Sequence, residues 1–162
     1  MLQLATKRLQ SELKKDWSSP SSERASFGLV GTKNLFEWLV YIRGPEGCPL
    51  YAGQVFHLKF LFSEEYPMEP PEVVFTRQGG ASGIPIHPHI YSNGHICLDI
   101  LYAHGDGGWS PALTASKVAL SIVSMLASNS EKRRPEGDEE YCKSIGSMSA
   151  KDSYWSFDDD TV

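Results

Sequence analysis

The chain has 162 residues, 41% of them hydrophobic and 22% charged, a balance that suits one packed domain and excludes a disordered chain. A formal net charge of -5 leaves no basic surplus to neutralise phosphates, so nucleic acid is not expected as a partner. No apolar run is long enough to cross a bilayer, and Cys48, Cys97 and Cys142 are too few and too widely spaced for a disulfide framework or a structural zinc site.

The first residues, MLQLATKRLQSELKKDW, place Leu4, Leu9 and Leu13 on one face among charged side chains, which predicts an amphipathic helix ending near Ser18-Ser19-Pro20. The same stretch has neither the continuous apolar core nor the cleavage site of a secretory signal. Together with the cysteine usage this predicts an intracellular protein of the cytoplasm or nucleus, without a membrane partner. Lys132, Arg133 and Arg134 are too few to specify the nucleus.

Strands are predicted over residues 34–43 (NLFEWLVYIR), 54–62 (QVFHLKFLF) and 72–76 (EVVFT), with a weaker one around Phe27 to Val30. Val55 and Phe60 fall on opposite registers of the second run, so both of its faces are expected to be covered. The short Gly- and Pro-bearing loops between these runs predict an antiparallel meander. Residues 79–111 are rich in glycine, proline and histidine and read as a long functional loop. A helix is predicted over residues 112–128, with Thr114 as its N-cap and Val118, Ile122 and Met125 or Leu126 on its apolar face. After EKRRPEGDEE the apolar signal fades, and residues 143–153 read as flexible. The division expected is a core over residues 1–135 and a C-terminal extension of the same domain over residues 136–162.

The chemistry concentrates in residues 84–101, IPIHPHIYSNGHICLDIL, where His87, His89 and His95 lie near Cys97. Zinc binding is one reading, but the spacing is not a usual zinc pattern and Pro88 restricts how the first two histidines converge, so no metal is expected. A small core cysteine among satisfied histidines is a second. The third is nucleophilic catalysis, in which a thiolate takes up an acyl group as a thioester and passes it to an amine through an oxyanion.

HPHIYSNGHICLDIL closely resembles the active-site stretch of ubiquitin-conjugating enzymes, usually His-Pro-Asn followed by Gly-x-Ile-Cys-Leu. YPMEPPEVVF resembles that family's Tyr-Pro-x-x-Pro-Pro loop and last strand, WSPALTASKVALSIVSML its Trp-Ser-Pro-Ala loop and central helix, and KRLQSEL its first helix. The motifs agree in order over residues 4 to about 130. The resemblance implies the family's α+β fold: an N-terminal helix, a four-stranded antiparallel meander, the active-site loop, a central helix and a variable C-terminal segment.

It also implies roles. Cys97 matches the cysteine that accepts ubiquitin from the activating enzyme. His87 and Pro88 match the pair that shapes the catalytic loop, His89 takes the place of the asparagine held to stabilise the oxyanion or the loop, and Asp99 matches an acidic position of many members. Lys7, Arg8, Met68, Ser110, Pro111 and Ala112 match the surface for a RING or U-box ligase, and Leu120 and Ser124 the helix that holds the donor ubiquitin. ATP is spent on the upstream activating enzyme, so no bound cofactor is expected. Inactive relatives of the fold lack the cysteine, which argues against a non-catalytic binding module.

Two departures point within the family. His89 replaces asparagine, and Arg133 stands near where many members carry an acid that helps deprotonate the attacking lysine. An α-amino group, with a pKa near 8 against about 10.4 for lysine, needs less of that help. HPHIYSNGHICL, EKRRP and the ending YWSFDDDTV resemble the W-type of the family, which attaches single ubiquitins to the N-termini of substrates, especially flexible ones. Lysine-directed conjugation and conjugation of a ubiquitin-like modifier are the alternatives. The resemblance makes Tyr154 and Trp155 candidates for receiving the acceptor backbone, with packing onto the domain an equal alternative. The glycine-rich loop YAHGDGGW has no family parallel and reads as a tolerated surface insertion, with gating of the site as its alternative.

Overall fold

The structure, a computed structural model, describes residues 1–18 and 26–153. Helix α1 (Leu2–Asp16) leads into a sheet of β1 (Phe27–Asn34), β2 (Glu37–Arg43), β3 (Val55–Leu61) and β4 (Glu72–Thr76). Neighbours in sequence are neighbours in the sheet, every pair antiparallel, as the short loops predict. Helix α2 (Ala115–Ala127) follows the long loop, and α3 (Asp138–Ile145) follows α2.

The buried stripe of α1 is Ala5, Leu9 and Glu12, with Leu13 partly buried, whereas Leu4 is 51% exposed. Expecting Leu4 on this face is therefore wrong. At 3.6 residues per turn the residue four before Leu9 shares its face, and that is Ala5; Leu4 is rotated well away. Trp17, just past the helix, sits edge-on to Phe27 at 5.5 Å and to Trp38 at 6.1 Å, which pins α1 to the sheet.

In β2 the inward residues are Trp38, Val40 and Ile42, and in β4 they are Val73 and Phe75, the strict alternation of a half-buried sheet. β2 starts at Glu37 rather than residue 34 because the Asn34 side chain accepts a hydrogen bond from Phe36 N and closes a turn there. β3 carries burial on both faces: Phe56, Leu58 and Phe60 on one and His57 on the other, its Nδ1 2.7 Å from the Gln78 carbonyl oxygen. β1 is longer than residues 27–30. Gly28 and Gly31 interrupt its apolar pattern, and Gly28 is required because a Cβ there would press into the Tyr41 ring.

α2 contributes Val118, Ala119, Ile122 and Leu126 to the same buried cluster as the sheet. Its cap is the expected one, the Thr114 hydroxyl accepting from Lys117 N at 3.4 Å. A line of rings, Trp38, Phe62, Tyr66 and Trp109, runs from the sheet to the loop before α2. The expectation of flexibility over residues 143–153 is corrected in part. α3 runs to Ile145, which is buried, and a single 3-10 turn at Ala150–Asp152 buries Ala150. Ser149 donates to Glu72 and Lys151 pairs with Glu69 at 3.4 Å, so this segment is fastened to the edge of the sheet.

Candidate active site

Cys97 lies where the active-site loop passes from a short bridge into a 3-10 turn at Asp99–Leu101. Ile90 and Ile96, both fully buried, pair across the loop, and Cys97 N donates to the His89 carbonyl at 2.8 Å. His89 and Cys97 are thus backbone partners across the loop. Gly94 turns the tip with φ +93 and lies against β4, where Phe75 N donates to its carbonyl at 2.9 Å. Any Cβ at Gly94 would collide with the Phe75 carbonyl oxygen.

His87 is buried and organises the loop from within. Its Nδ1 accepts from His89 N at 2.9 Å, so the proton is on Nε2, which donates to the Met125 carbonyl at 3.2 Å. Burial holds this imidazole down at about 4, neutral at physiological pH. Its two bonds tie the His89 amide on the loop to the Met125 carbonyl on α2. Both of its nitrogens are engaged, and among the described residues no three His, Cys, Asp or Glu side chains converge as metal ligands.

The Cys97 side chain is half-buried, and burial pushes its thiol up to about 11. Tyr91, near Cys97, is pushed up to about 12 by its own burial and by the neighbouring Cys97 and Tyr141. His95 is buried and its pKa lowered by that burial; its Nδ1 is 2.7 Å from the Tyr141 hydroxyl.

Asp99 is exposed and turns its carboxylate to Ile100 N at 2.8 Å, a local turn rather than a contact with the thiol. Its carbonyl accepts from Gly108 N at 2.9 Å and from Tyr102 N at 3.0 Å, so the glycine-rich loop folds back onto it. Gly107 and Gly108 permit that approach, since a Cβ would strike the Tyr102 carbonyl oxygen in one case and the Asp99 carboxylate in the other.

The other predicted residues fall into two surfaces. Lys7, Met68, Ser110, Pro111 and Ala112 are exposed, and Met68 is 56% so. Arg8 is instead a strut. Its Nε donates to Glu12 at 2.6 Å and its Nη2 to the Leu113 carbonyl at 2.8 Å. Glu12 also accepts from the Tyr66 hydroxyl at 2.6 Å and Ala115 N at 2.9 Å, while Trp109 Nε1 donates to the Pro67 carbonyl at 2.9 Å. These bonds bring α1, the Tyr66–Met68 loop, whose Tyr66–Pro67 bond is cis, and the Ser110–Ala112 loop to one place. Leu120 and Ser124 are exposed on the outer face of α2. Tyr154 and Trp155 lie outside the described residues.

Sequence reasoning missed Arg134, Glu12 and Tyr141. Arg134 donates from Nη1 to the Pro85 carbonyl at 2.7 Å and the Ile90 carbonyl at 3.1 Å, and from Nη2 to the Ile84 carbonyl at 3.3 Å, clamping the loop ahead of Cys97. Its only sequence signal is a basic triplet before Pro135. Glu12 had a signal, an acid on an apolar helical stripe.

The family model described as ubiquitin-conjugating enzyme matches residues 8–152, across α1, the sheet, the cysteine loop and both later helices. The chain belongs to the ubiquitin-conjugating enzyme family. It is 46% identical over 156 residues to the probable ubiquitin-conjugating enzyme E2 W of Dictyostelium discoideum, covering 96% of each chain. Over 163 residues it is 43% identical to the ubiquitin-conjugating enzyme E2 W of Caenorhabditis elegans, covering both chains in full. A crystal structure of the conjugating enzyme UbcA1 from Agrocybe aegerita superposes with a TM-score of 0.72 at 32% identity, covering 88% of this chain and 94% of that one. The enzyme is therefore a W-type transferase with a thioester intermediate, and its partners are ubiquitin, an activating enzyme and ubiquitin ligases.

Proposed function

We propose that this conjugating enzyme, working with a RING or U-box ligase in the cytoplasm or nucleus, attaches single ubiquitins to the N-terminal α-amino groups of substrates with flexible N-termini. Cys97 takes ubiquitin by thioester exchange: its sulfur bonds to the ubiquitin carboxyl carbon and the activating enzyme's sulfur leaves. The acceptor amine then attacks that carbon. The oxyanion is stabilised by His89, the carbon–sulfur bond breaks, and the Cys97 sulfur recovers the proton that the amine gives up. No metal or nucleotide is needed at this site.

The observation that carries the amine preference is Arg133. By resemblance it falls near where many members carry an acid that assists a lysine, and its exposed side chain pairs with Glu131 at 3.2 Å. A cation there cannot take a proton from an ammonium group, so the acceptor must be one already near its own pKa at neutral pH, an α-amine. The Ser153 hydroxyl is 2.8 Å from that of Tyr141, which in turn contacts His95, two residues from Cys97.

The test is to load the enzyme with ubiquitin and chase it with free lysine or with a lysine-free peptide that has an unblocked N-terminus. Discharge to the peptide alone is expected. Discharge to lysine would establish the lysine-directed alternative, and a Cys97→Ala enzyme that still transferred would overturn the thioester relay itself.

A further inference from the structure

The peptide unit that joins Ile96 to Cys97 is held at both ends. Its N–H, on Cys97, donates to the His89 carbonyl at 2.8 Å, and its carbonyl, on Ile96, accepts from the Tyr102 hydroxyl at 2.8 Å. A peptide unit is planar, so bonds on its two edges fix its orientation, and with it the frame from which the Cys97 side chain projects. The first bond is backbone to backbone. The second is made by one side chain, and both of its partners, Ile96 and Tyr102, are buried. Tyr102 reaches back because the chain turns sharply after Cys97: Leu101 N donates to the Leu98 carbonyl and Tyr102 N to the Asp99 carbonyl, both at 3.0 Å. The glycine-rich loop then closes on Tyr102 from its other side. Trp109 N donates to the Tyr102 carbonyl at 3.1 Å, and Gly107 passes so close to that oxygen that no Cβ fits between them.

We infer that Tyr102 is a positioning residue for Cys97: its hydroxyl holds the peptide before the cysteine so that the sulfur is aimed at the ubiquitin carboxyl carbon, and the glycine-rich loop braces Tyr102 in that place. The loop that has no family parallel thereby gains a task. Thioester exchange between two docked proteins needs the sulfur on one line of approach, and a small misplacement there lowers the rate steeply. A small alkylating reagent has no such need, because it meets the sulfur from any open side. Aim and reactivity are therefore separable. Tyr102→Phe keeps the buried ring and removes only the hydroxyl that bonds Ile96.

The inference rests on Cys97 as the carrier of ubiquitin and holds whichever amine receives it. The test measures single-turnover loading from ubiquitin-charged activating enzyme at varied concentration, and alkylation by iodoacetamide across a pH series. It compares wild-type, Y102F and G107A enzymes, with C97A beside them. In Y102F the maximal loading rate is expected to fall about five- to twentyfold, while the half-saturating concentration and the alkylation rate at each pH stay within about twofold of wild type. G107A, which pushes the loop off the Tyr102 carbonyl, should lower the maximal rate in the same direction. Wild-type maximal loading by Y102F would overturn the inference. So would a rise in its half-saturating concentration alone, the mark of a docking residue, or an alkylation rate changed by the same factor as loading, the mark of a loop that is merely loosened. G107A loading at the wild-type rate beside an impaired Y102F would overturn the bracing role of the loop. A thiol-sensitive ubiquitin adduct on C97A would place the failure in the carrier reading and remove the basis of the inference.

Discussion

Glu12 offers the sharpest test of how the fold holds its exposed loops. It is 4% exposed, and its carboxylate serves three donors: Arg8 Nε and the Tyr66 hydroxyl on Oε1, and Ala115 N on Oε2. Glu12→Ala leaves the Tyr66 hydroxyl and the Ala115 amide without their acceptor, and the Arg8 guanidinium without its counter-charge. Each abandoned buried donor costs about 1–3 kcal/mol, and breaking a buried charge pair on one side costs about 3–5 kcal/mol. These overlap, so the expected total is about 4 kcal/mol. For a domain of this size that lowers the melting temperature by about 8–16 °C. Glu12→Gln keeps an acceptor oxygen but turns an NH2 toward a donor, and should cost about 2 kcal/mol. Thermal and urea unfolding measure these values, and a cycle with Tyr66→Phe isolates the shared bond. The double variant should be less destabilised than the sum of the singles by about 1 kcal/mol. A Glu12→Ala enzyme melting within about 2 °C of wild type, or strict additivity in the cycle, would refute the reasoning.

The remaining predictions concern the active-site loop. Arg134→Ala, which frees three carbonyls, should cost about 2–3 kcal/mol and impair loading, and Arg134→Lys should not restore it because one ammonium cannot span them. Arg133→Ala, exposed and singly paired, should stay within about 0.5 kcal/mol in urea unfolding, and equal effects at the two arginines would be contrary evidence. Gly94→Ala, strained at φ +93 and in collision with β4, should lose about 3 kcal/mol or more and load poorly; unchanged loading would contradict the placement of that turn. Because burial raises the Cys97 thiol to about 11, direct alkylation by iodoacetamide should speed up about tenfold per pH unit from 7 to 9 without levelling. The sign for stability is the reverse: above the ordinary thiol pKa the unfolded state sheds a proton that the folded state keeps, so Cys97 contributes a loss of stability as pH rises from about 9 toward 11. A plateau in alkylation near pH 8 would mean that the thiol is not raised.

Elements with a long regular pattern were legible in the sequence. α2 shows Thr114 followed by Val118, Ile122 and Leu126, and β4 carries its inward Val73 and Phe75 within the five residues expected. α3 was not legible, because among its eight residues the aromatic and aliphatic pattern is reduced to Tyr141 and Ile145. Tertiary contacts hold it: Asp138 on Ser92 N and Tyr141 on Tyr91, with Asp138, Glu139 and Glu140 favouring its first turn. In the site, Cys97, His87 and His89 were legible through the motif, and the motif says nothing of what secures it. Arg134 acts on backbone carbonyls, which every sequence supplies and none marks. Arg8 entered through the resemblance to the ligase surface, and a motif does not show its partner; that it pairs with the buried Glu12 shows only in the fold.

The raised thiol of Cys97 bears directly on what a carrier must do. A thiol that ionises reluctantly is a poor leaving group, so burial of Cys97 works to protect the thioester once it has formed. A developing oxyanion needs a donor placed beforehand, the part that the resemblance implies for His89, whose carbonyl accepts from Cys97 N. Selectivity in such a site comes less from reactivity of the sulfur than from how the amine arrives and whether it arrives deprotonated. The first depends on the loop that carries Cys97, against which α3 packs through Asp138 on Ser92 N and Tyr141 on Tyr91. The second follows from the amine's own pKa, lower for an α-amino group than for a lysine, which is the physical basis of the proposed preference.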